Sequence, residues 1–588
     1  MSVRIAVAAT RGGRAELVDP DGGLRLQVDR AMLPAEIARL ESELGPRWVW
    51  RETREWASEL LDAGVRVARC HDLRLCGAIL ASSTLVGDAG PSAGERPAWL
   101  PPGPAEAAGL ADVPSPAPSA DRGPALFDFD HLEAGGASSS ATALPTADEL
   151  LEEQDRQLAL VDGAERPGAL RLLMAAESAG ALIAAELHAA GLPWDRRVHE
   201  RVLEEALGPR PASGRKPARM GELAEAVRGA LEAPTLNLDS QADLLRGLRR
   251  AGIGADSTAR WELREHDHPA IEPLIAYKRL ARLLSANGWG WLDEWVVAGR
   301  FRADWVAGGT ATGRWATAGG GALQLPKAIR RAVAADDGWT LVVADASQLE
   351  PRVLAALARD PAMAAAGRGR DMYRAIVEAG VVATRDEAKV ALLGAMYGAT
   401  TGDSGRLVPR LARAYPRAMA LVDRAARDGE AGRAVTTLLG RSSPLPPARW
   451  HELQARATQP DATEVDERRA RTAAREWGRF TRNFVVQGTA AEWALCWLAG
   501  VRNRLVGLGE RPDGSPAAPA SGPAFERAPH LVYFLHDELI VHTPVELAPA
   551  VAEAVRDSAA EAGRLIFGDA PVEFPLNLVT VPSYGAAT

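Results

Sequence analysis

Cysteine is scarce in this sequence: only Cys70, Cys76 and Cys496 occur among 588 residues. That excludes a disulfide framework and a four-cysteine zinc site. Cys70, His71 and Cys76 lie close together, and buried neutral side chains explain such a group better than a metal does. No run approaches the ~20 consecutive apolar residues that cross a bilayer. The N-terminus, Met1-Ser2-Val3-Arg4-Ile5, lacks a basic region leading into an apolar core. The expectation is therefore a cytoplasmic monomer with no membrane partner. An excess of positive charge is also missing, because the formal net charge is −9. A coat of positive potential is excluded, but a local basic groove is not. The stretch from Tyr277 to Arg331 is the candidate: Lys278, Arg279, Arg282, Arg300, Arg302, Arg314, Lys327, Arg330 and Arg331 face only Asp293, Glu294 and Asp304. No repeat of fixed period is present.

The length is too great for one hydrophobic core, and roughly three or four domains are expected. Strands at Val3 to Ala8 and Leu24 to Val28, then helix-like stretches to about Leu80, predict a small α/β domain. From Gly87 to Pro145 the chain is rich in Pro, Ala, Gly and Ser and predicts a disordered insertion. Within it lies an apolar island, Leu126-Phe127-Asp128-Phe129. From Asp148 to Trp295 the pattern predicts a long helical arm. Strands and helices alternate after Phe301.

Three segments carry candidate chemistry. In the first, the apolar strand Trp339-Thr340-Leu341-Val342-Val343-Ala344 ends in Asp345, and Gln348-Leu349-Glu350-Pro351-Arg352 opens a helix with Pro351 in its first turn. In the second, Leu531 to Leu535 and Leu539 to Val541 flank His536-Asp537-Glu538, which predicts a tight hairpin with acids at its tip. Adjacent acids in an apolar frame repel unless a cation neutralises them. In the third, Thr384 and Glu387 form a capping box, and Arg385, Lys389, Leu393 and Tyr397 follow at steps of four along one slowly rotating helix face. Two cations followed by an apolar and an aromatic side chain could hold a triphosphate at one end and a base or sugar at the other. Taken singly, each segment has a plainer reading as a helix cap, a solvated turn or a basic surface helix.

Along the chain the Asp345 segment comes first, the Lys389 helix next and the Asp537 hairpin last, and in that order the three resemble the polymerase motifs of the family A DNA polymerases, the bacterial DNA polymerase I family. Thr310-Ala311-Thr312-Gly313-Arg314 with Leu323-Gln324 resembles the stretch before the first motif. Arg479, Asn483 and Gln487-Gly488-Thr489-Ala490-Ala491 resemble the helix before the last. Asn237-Leu238-Asp239-Ser240 and Tyr277-Lys278-Arg279-Leu280 look like thumb positions. The resemblance runs from about Leu192 to the C-terminus. It implies a multidomain α/β and α+β chain: an exonuclease-like RNase H-type domain at 1–165 with its insertion at about 87–145, a thumb at 166–300, palm at 301–365, fingers at 366–477 and palm again at 478–588.

The resemblance further implies template-directed DNA synthesis on primer-template DNA from dNTPs, with two Mg²⁺, or Mn²⁺ in their place, held by Asp345 and Asp537 and supported by Glu538. Arg385 and Lys389 would bind the triphosphate, Lys389 would protonate the leaving group, and Tyr397 would sit by the templating base. Gln348 and Tyr373 join the nucleotide site, with Tyr373 where a histidine is usual. Glu350 matches a steric gate against ribose, and Leu393 replaces an aromatic residue by the sugar. Arg314, Gln324, Arg479, Asn483, Gln487 and His536 would contact DNA.

The N-terminal domain looks like a degraded 3′-to-5′ exonuclease, because its first strand has no acid and Cys76 stands where a metal-binding Asp is expected. Lost proofreading follows, and retained exonuclease activity is the alternative. A 5′-nuclease domain is expected to be absent. Leu126 and Phe127 loosely resemble a sliding-clamp-binding peptide, although packing on the domain is the simpler expectation. Two rival readings remain: a phage-type RNA polymerase, against which Glu350 and His536-Asp537-Glu538 speak, and a catalytically silent DNA-binding scaffold.

Overall fold

The computed structural model describes residues 3–89, 96–107, 144–212, 214–318, 321, 325–398, 402–509 and 516–587. The apolar island with Leu126 and Phe127, and also Gln324, lie outside the described residues.

At the N-terminus, alternation sends successive side chains to opposite faces of a five-stranded sheet. Ile5 and Val7 pack with Trp48 and Trp50 on one face, and Ala6 and Ala8 with Val49 and Leu73 on the other. The strand order is Arg25–Asp29, Arg14–Val18, Arg4–Thr10, Arg47–Trp50, Cys70–Asp72. The last two pairings are parallel. Three of these strands escape the sequence reading because each is only three to five residues long. Part of the expected disordered insertion is packed: Leu100 is buried beside Ala6, Val49 and Leu73. A short helix, Pro104–Ala107, follows it.

The helix Pro167–Ala190 is the spine of the molecule. It packs against the strand Cys70–Asp72 on one side and against the helix Glu464–Gly507 and the strand His530–Leu535 on the other. Its Glu186 is buried between Arg66 of the N-terminal domain at 3.0 Å and Arg502 of the long helix at 2.7 Å. Burial opposes charge on Glu186, but Arg502 and Arg66 overcome it and hold the carboxyl at about 2. Both helices are long and apolar enough to cross a membrane, and both are largely interior here.

Helices Ala218–Ala230, Gln241–Arg250 and Ile271–Asn287 share a separate core around Leu244, Leu274 and Tyr277. The Tyr277 hydroxyl donates to Asp239 at 2.6 Å, joining the two thumb-like signatures. The central sheet is antiparallel, in the order His530–Leu535, Glu538–Pro544, Trp339–Ala346, Leu576–Val581.

The basic stretch is largely spent on the fold, which corrects the expectation of a groove along its length. Arg300 is only 2% exposed and pairs with Asp336. Arg302 donates to the Ala520 carbonyl at 2.9 Å, Lys278 to that of Thr258 at 2.7 Å, and Arg331 pairs with Glu205. Backbone carbonyls and acids from other segments recruit these cations, in the interior for Arg300 and at the surface for Arg331, and local charge counting does not register them.

Glu492, on the long helix, is fully buried and accepts from the Thr437 hydroxyl and from the Leu439 N–H at 3.0 Å. Burial outweighs those bonds and lifts its carboxyl to about 7. A carboxyl raised in the fold adds stability below its ordinary value of 4.5, and that contribution is lost as pH rises through about 7. Glu492→Gln should therefore match wild type near pH 4.5 and exceed it at pH 8 by on the order of 2–3 kcal/mol, read from paired denaturation curves.

Candidate active site

Strand register brings the two principal acids together. Asp345 stands opposite Glu538 across the paired strands Trp339–Ala346 and Glu538–Pro544. His536 and Asp537 form the two-residue turn between the hairpin strands, with His536 left-handed at φ 56°. The Ala346 N–H donates to the Asp537 carbonyl at 2.8 Å, which sets Asp537 next to Asp345 although 191 positions of chain separate them. Asn577, on the outer strand, faces the Asp345 carboxylate at 3.4 Å.

Burial, then the charge of Asp345, pushes Asp537 up to about 7. Burial also raises Asp345 and Glu538, and Glu538 lies beside Tyr584 and within the field of Arg330. Like charges are thus held together in a poorly solvated corner, an arrangement a divalent cation would relieve. Among the described residues no group of three or more His, Cys, Asp or Glu side chains is arranged to hold a metal ion by itself, so Asp345, Asp537 and Glu538 do not make up a complete ligand set. The donor set therefore fits Mg²⁺, which accepts one or two carboxylates with the remainder from substrate and water, better than an all-protein zinc or calcium site. Cys70 and Cys76 are likewise buried thiols raised by burial, and they belong to no such group.

After the Asp345 strand the chain turns through Gln348, left-handed at φ 57°, into the helix Leu349–Ala358. Gln348 accepts from the Met372 N–H at 2.9 Å. The sequence reading assigned no role to Arg352, yet its buried guanidinium fixes this junction. It donates to the carbonyls of Ser347 at 2.9 Å, Gly367 at 2.7 Å, Glu573 at 3.0 Å and Arg370 at 3.0 Å. One helical turn from Asp345, Glu350 pairs with Arg314 and accepts from the Tyr397 hydroxyl at 2.6 Å. Three candidates from separate motifs therefore form one linked group. Desolvation of the half-buried His536, and then the charge of Arg314, push its imidazole down to about 3.

The capping box of Thr384 and Glu387 starts the helix Arg385–Tyr397 as the sequence predicts. Arg385 pairs with Asp371 at 2.9 Å and lies over the Tyr373 ring, whose hydroxyl burial pushes up to about 12. Lys389 is exposed and has no ion pair among the described residues. Leu393 is half-buried against the core. On the long helix, Arg479 lies near Glu476, while Asn483 and Gln487 are buried to 3% and 2%. Asn483 Oδ1 and Gln487 Nε2 have no hydrogen-bond partner among the described residues. Such atoms ask for an external polar ligand.

The comparisons with known proteins agree with this geometry. The model of DNA polymerase family A matches residues 248–578, more than half of the chain. A thermostable DNA polymerase I from Thermus aquaticus is 26% identical over 339 residues, which is 52% of this chain and 36% of that protein. A DNA polymerase I from Chloroflexus aurantiacus is 26% identical over 380 residues, 59% of this chain and 36% of the relative. The chain thus matches little more than a third of the length of these relatives. Among solved structures, the POL domain of Pol1 from M. smegmatis, in complex with DNA primer-template and dNTP, superposes with a TM-score of 0.66 at 19% identity, covering 100% of this chain and 96% of that one. The right-hand polymerase fold is thereby established, and the chain belongs to DNA polymerase family A.

Proposed function

We propose that this chain extends a DNA primer on a template, joining dNTPs to the 3′-hydroxyl with release of pyrophosphate. The observation that carries the reading is the placement of Asp345, opposite Glu538 in the strand register, beside Asp537 of the hairpin turn at the end of the central sheet, where burial and the charge of Asp345 raise the Asp537 carboxyl and neither aspartate makes an ion pair among the described residues. A pair of Mg²⁺ held there would lower the pKa of the primer hydroxyl and offset charge on the departing pyrophosphate. Lys389, which makes no ion pair among the described residues, can grip the triphosphate, and its Nζ can donate a proton to the leaving oxygen. Arg385 can exchange Asp371 for phosphate, since its pair is at the surface and weak.

Within the linked group, Glu350 and Tyr397 would lie by the incoming sugar and base, and Arg314 would reach the minor-groove edge at the primer terminus. Glu350 would crowd a ribose 2′-hydroxyl. Gln487 would satisfy its unpaired Nε2 donor on the minor-groove edge near the primer terminus, where acceptors are common to all base pairs, while the unpaired Asn483 Oδ1 is an acceptor and would take a donor there. The solved M. smegmatis relative binds primer-template and dNTP, which supports those partners here. Incorporation of dNTP over rNTP on a primed template tests the reading. No extension, or preference for rNTP, would refute it.

Proofreading is absent in this proposal. No acid stands on the strand Arg4–Thr10, and Arg4 is instead paired with Asp155 at 2.6 Å. Asp72 is consumed as a helix cap, accepting from the Leu75 and Thr53 N–H groups at 3.0 and 2.7 Å. Cys76 is buried and faces the Met174 carbonyl at 3.8 Å, so it offers no ligand to a metal. A primer with a mispaired 3′ end should keep its terminal nucleotide through prolonged incubation with Mg²⁺. Removal of that nucleotide, abolished by Asp72→Ala or Asp155→Ala, would show the alternative to be correct.

A further inference from the structure

The N-terminal domain touches the polymerase half through the residues that follow its helix Leu73–Ser82. Ser83 donates to the Gly440 carbonyl at 2.6 Å, the Thr84 N–H donates to Ser442 Oγ at 2.9 Å, and the Thr84 and Thr436 hydroxyls meet at 2.6 Å. Gly440 is left-handed at φ 115°, and a Cβ there would strike Leu85 and Leu170 at 2.8 and 2.7 Å. The loop is therefore clamped on that side. Within it, Thr437 and Arg441 exchange backbone and hydroxyl bonds.

From this loop Arg441, 9% exposed, reaches inward to pair with Glu177 of the spine helix. The pair lies directly beneath the segment that ends in Arg314. A Cβ on Gly313 would fall 2.5 Å from Arg441 Nε, and one on Gly308 would fall 3.4 Å from the unpaired Glu177 Oε2. Residues 310–314 are themselves a tight turn, with the Thr310 N–H and the Arg314 carbonyl at 3.1 Å and the Gly313 N–H and the Thr310 carbonyl at 2.9 Å. Their position as a unit must come from outside. Arg314 then holds Glu350, which holds Tyr397.

We propose that Arg441 is a positioning residue through which the degenerate N-terminal domain braces the Thr310–Arg314 turn, and so sets how strictly the site tests the primer terminus. The inference rests on the polymerase reading. Arg441 touches neither nucleotide nor the reacting atoms. It acts through Arg314.

The experiment measures kcat/KM for adding the next dNTP to a matched and to a mispaired primer terminus, with the primer-template Kd measured in parallel. Extension by the wild type tests the polymerase reading, and the matched-to-mispaired ratio tests the brace. In Arg441→Ala the ratio should fall about tenfold, since misplacing a catalytic contact by ~1 Å costs up to ~100-fold. The fall should appear in kcat with Kd nearly unchanged. Arg441→Lys keeps the charge opposite Glu177 and should recover part of the ratio. Thr84→Val, a change in the N-terminal domain alone, removes the hydroxyl contacts to Thr436 and Ser442 and should shift the ratio in the same direction by about threefold, as expected for loss of a weak hydrogen-bond pair. Thr84→Val carries the test by itself if Arg441→Ala fails to fold. An unchanged ratio in either folded variant would overturn the proposal, because a purely structural contact would lower stability without altering discrimination.

Discussion

Asp537→Asn should abolish primer extension while making the free protein more stable. The two effects have one cause. Burial and the neighbouring charge of Asp345 lift the Asp537 carboxyl to about 7 from its ordinary 3.8, so at pH 8 the ionised side chain opposes folding. Sign follows from linkage: a carboxyl raised in the fold contributes stability at low pH and loses it as pH passes its folded value. Asparagine keeps the shape and removes the charge, and should raise stability at pH 8 by on the order of 1–3 kcal/mol. Extension with Mg²⁺ should fall by at least about a thousandfold, because loss of a charge that holds the catalytic ions forfeits several kcal/mol of transition-state stabilisation. Primer-template binding should persist. A melting curve and an extension time course on one sample check both halves. A variant that is inactive and also less stable would mean that Asp537 serves packing rather than cation binding.

Lys389→Ala should cost the next largest share, about a hundredfold to a thousandfold in kcat/KM for dNTP. Lys389 lies on the second turn of a helix whose first turn is fixed by the Thr384 and Glu387 capping box, so its backbone is held while its side chain stays open to solvent. Arg385, one turn earlier, is already paired with Asp371 and cannot replace it without giving up that pair. Lys389→Arg separates the two roles assigned to the residue. A guanidinium can grip phosphate but does not release a proton near neutral pH, so KM should recover more than kcat. Equal recovery of both would leave charge as the whole contribution and remove the proton-donor role.

How far the sequence discloses this site depends on how local each contact is. The Asp345 strand end, the Asp537 hairpin and the capped Lys389 helix are legible because each is written in consecutive residues as an apolar run, a turn or a cap. The meeting of Glu350, Arg314 and Tyr397 is not legible in this way, because the three lie in separate segments and each reads alone. What local pattern cannot give is the partner of a buried charge. Arg352, Arg441 and Arg502 look like ordinary arginines in helices or loops, yet their partners are assembled from several segments, with 264 positions between Arg441 and Glu177 and 316 between Arg502 and Glu186. The same blindness makes Arg300 look like part of a basic groove when it is an interior ion pair with Asp336. The helix Pro167–Ala190 reads as the start of an arm because amphipathicity does not say which neighbour an apolar face meets. In the fold it runs between two domains and carries Glu177 and Glu186, the acids that lock them.

Everything assigned to catalysis depends on Asp345 and Asp537 sharing a pair of divalent ions. The direct measurement is a crystal structure of this chain with a dideoxy-terminated primer-template, the next dNTP and Mn²⁺, with the ions located by anomalous scattering. Two peaks about 3.5–4 Å apart, each within coordination distance of both carboxylates, are the expected result. Manganese bound elsewhere, or a nucleotide seated with no ion between those acids, would contradict it.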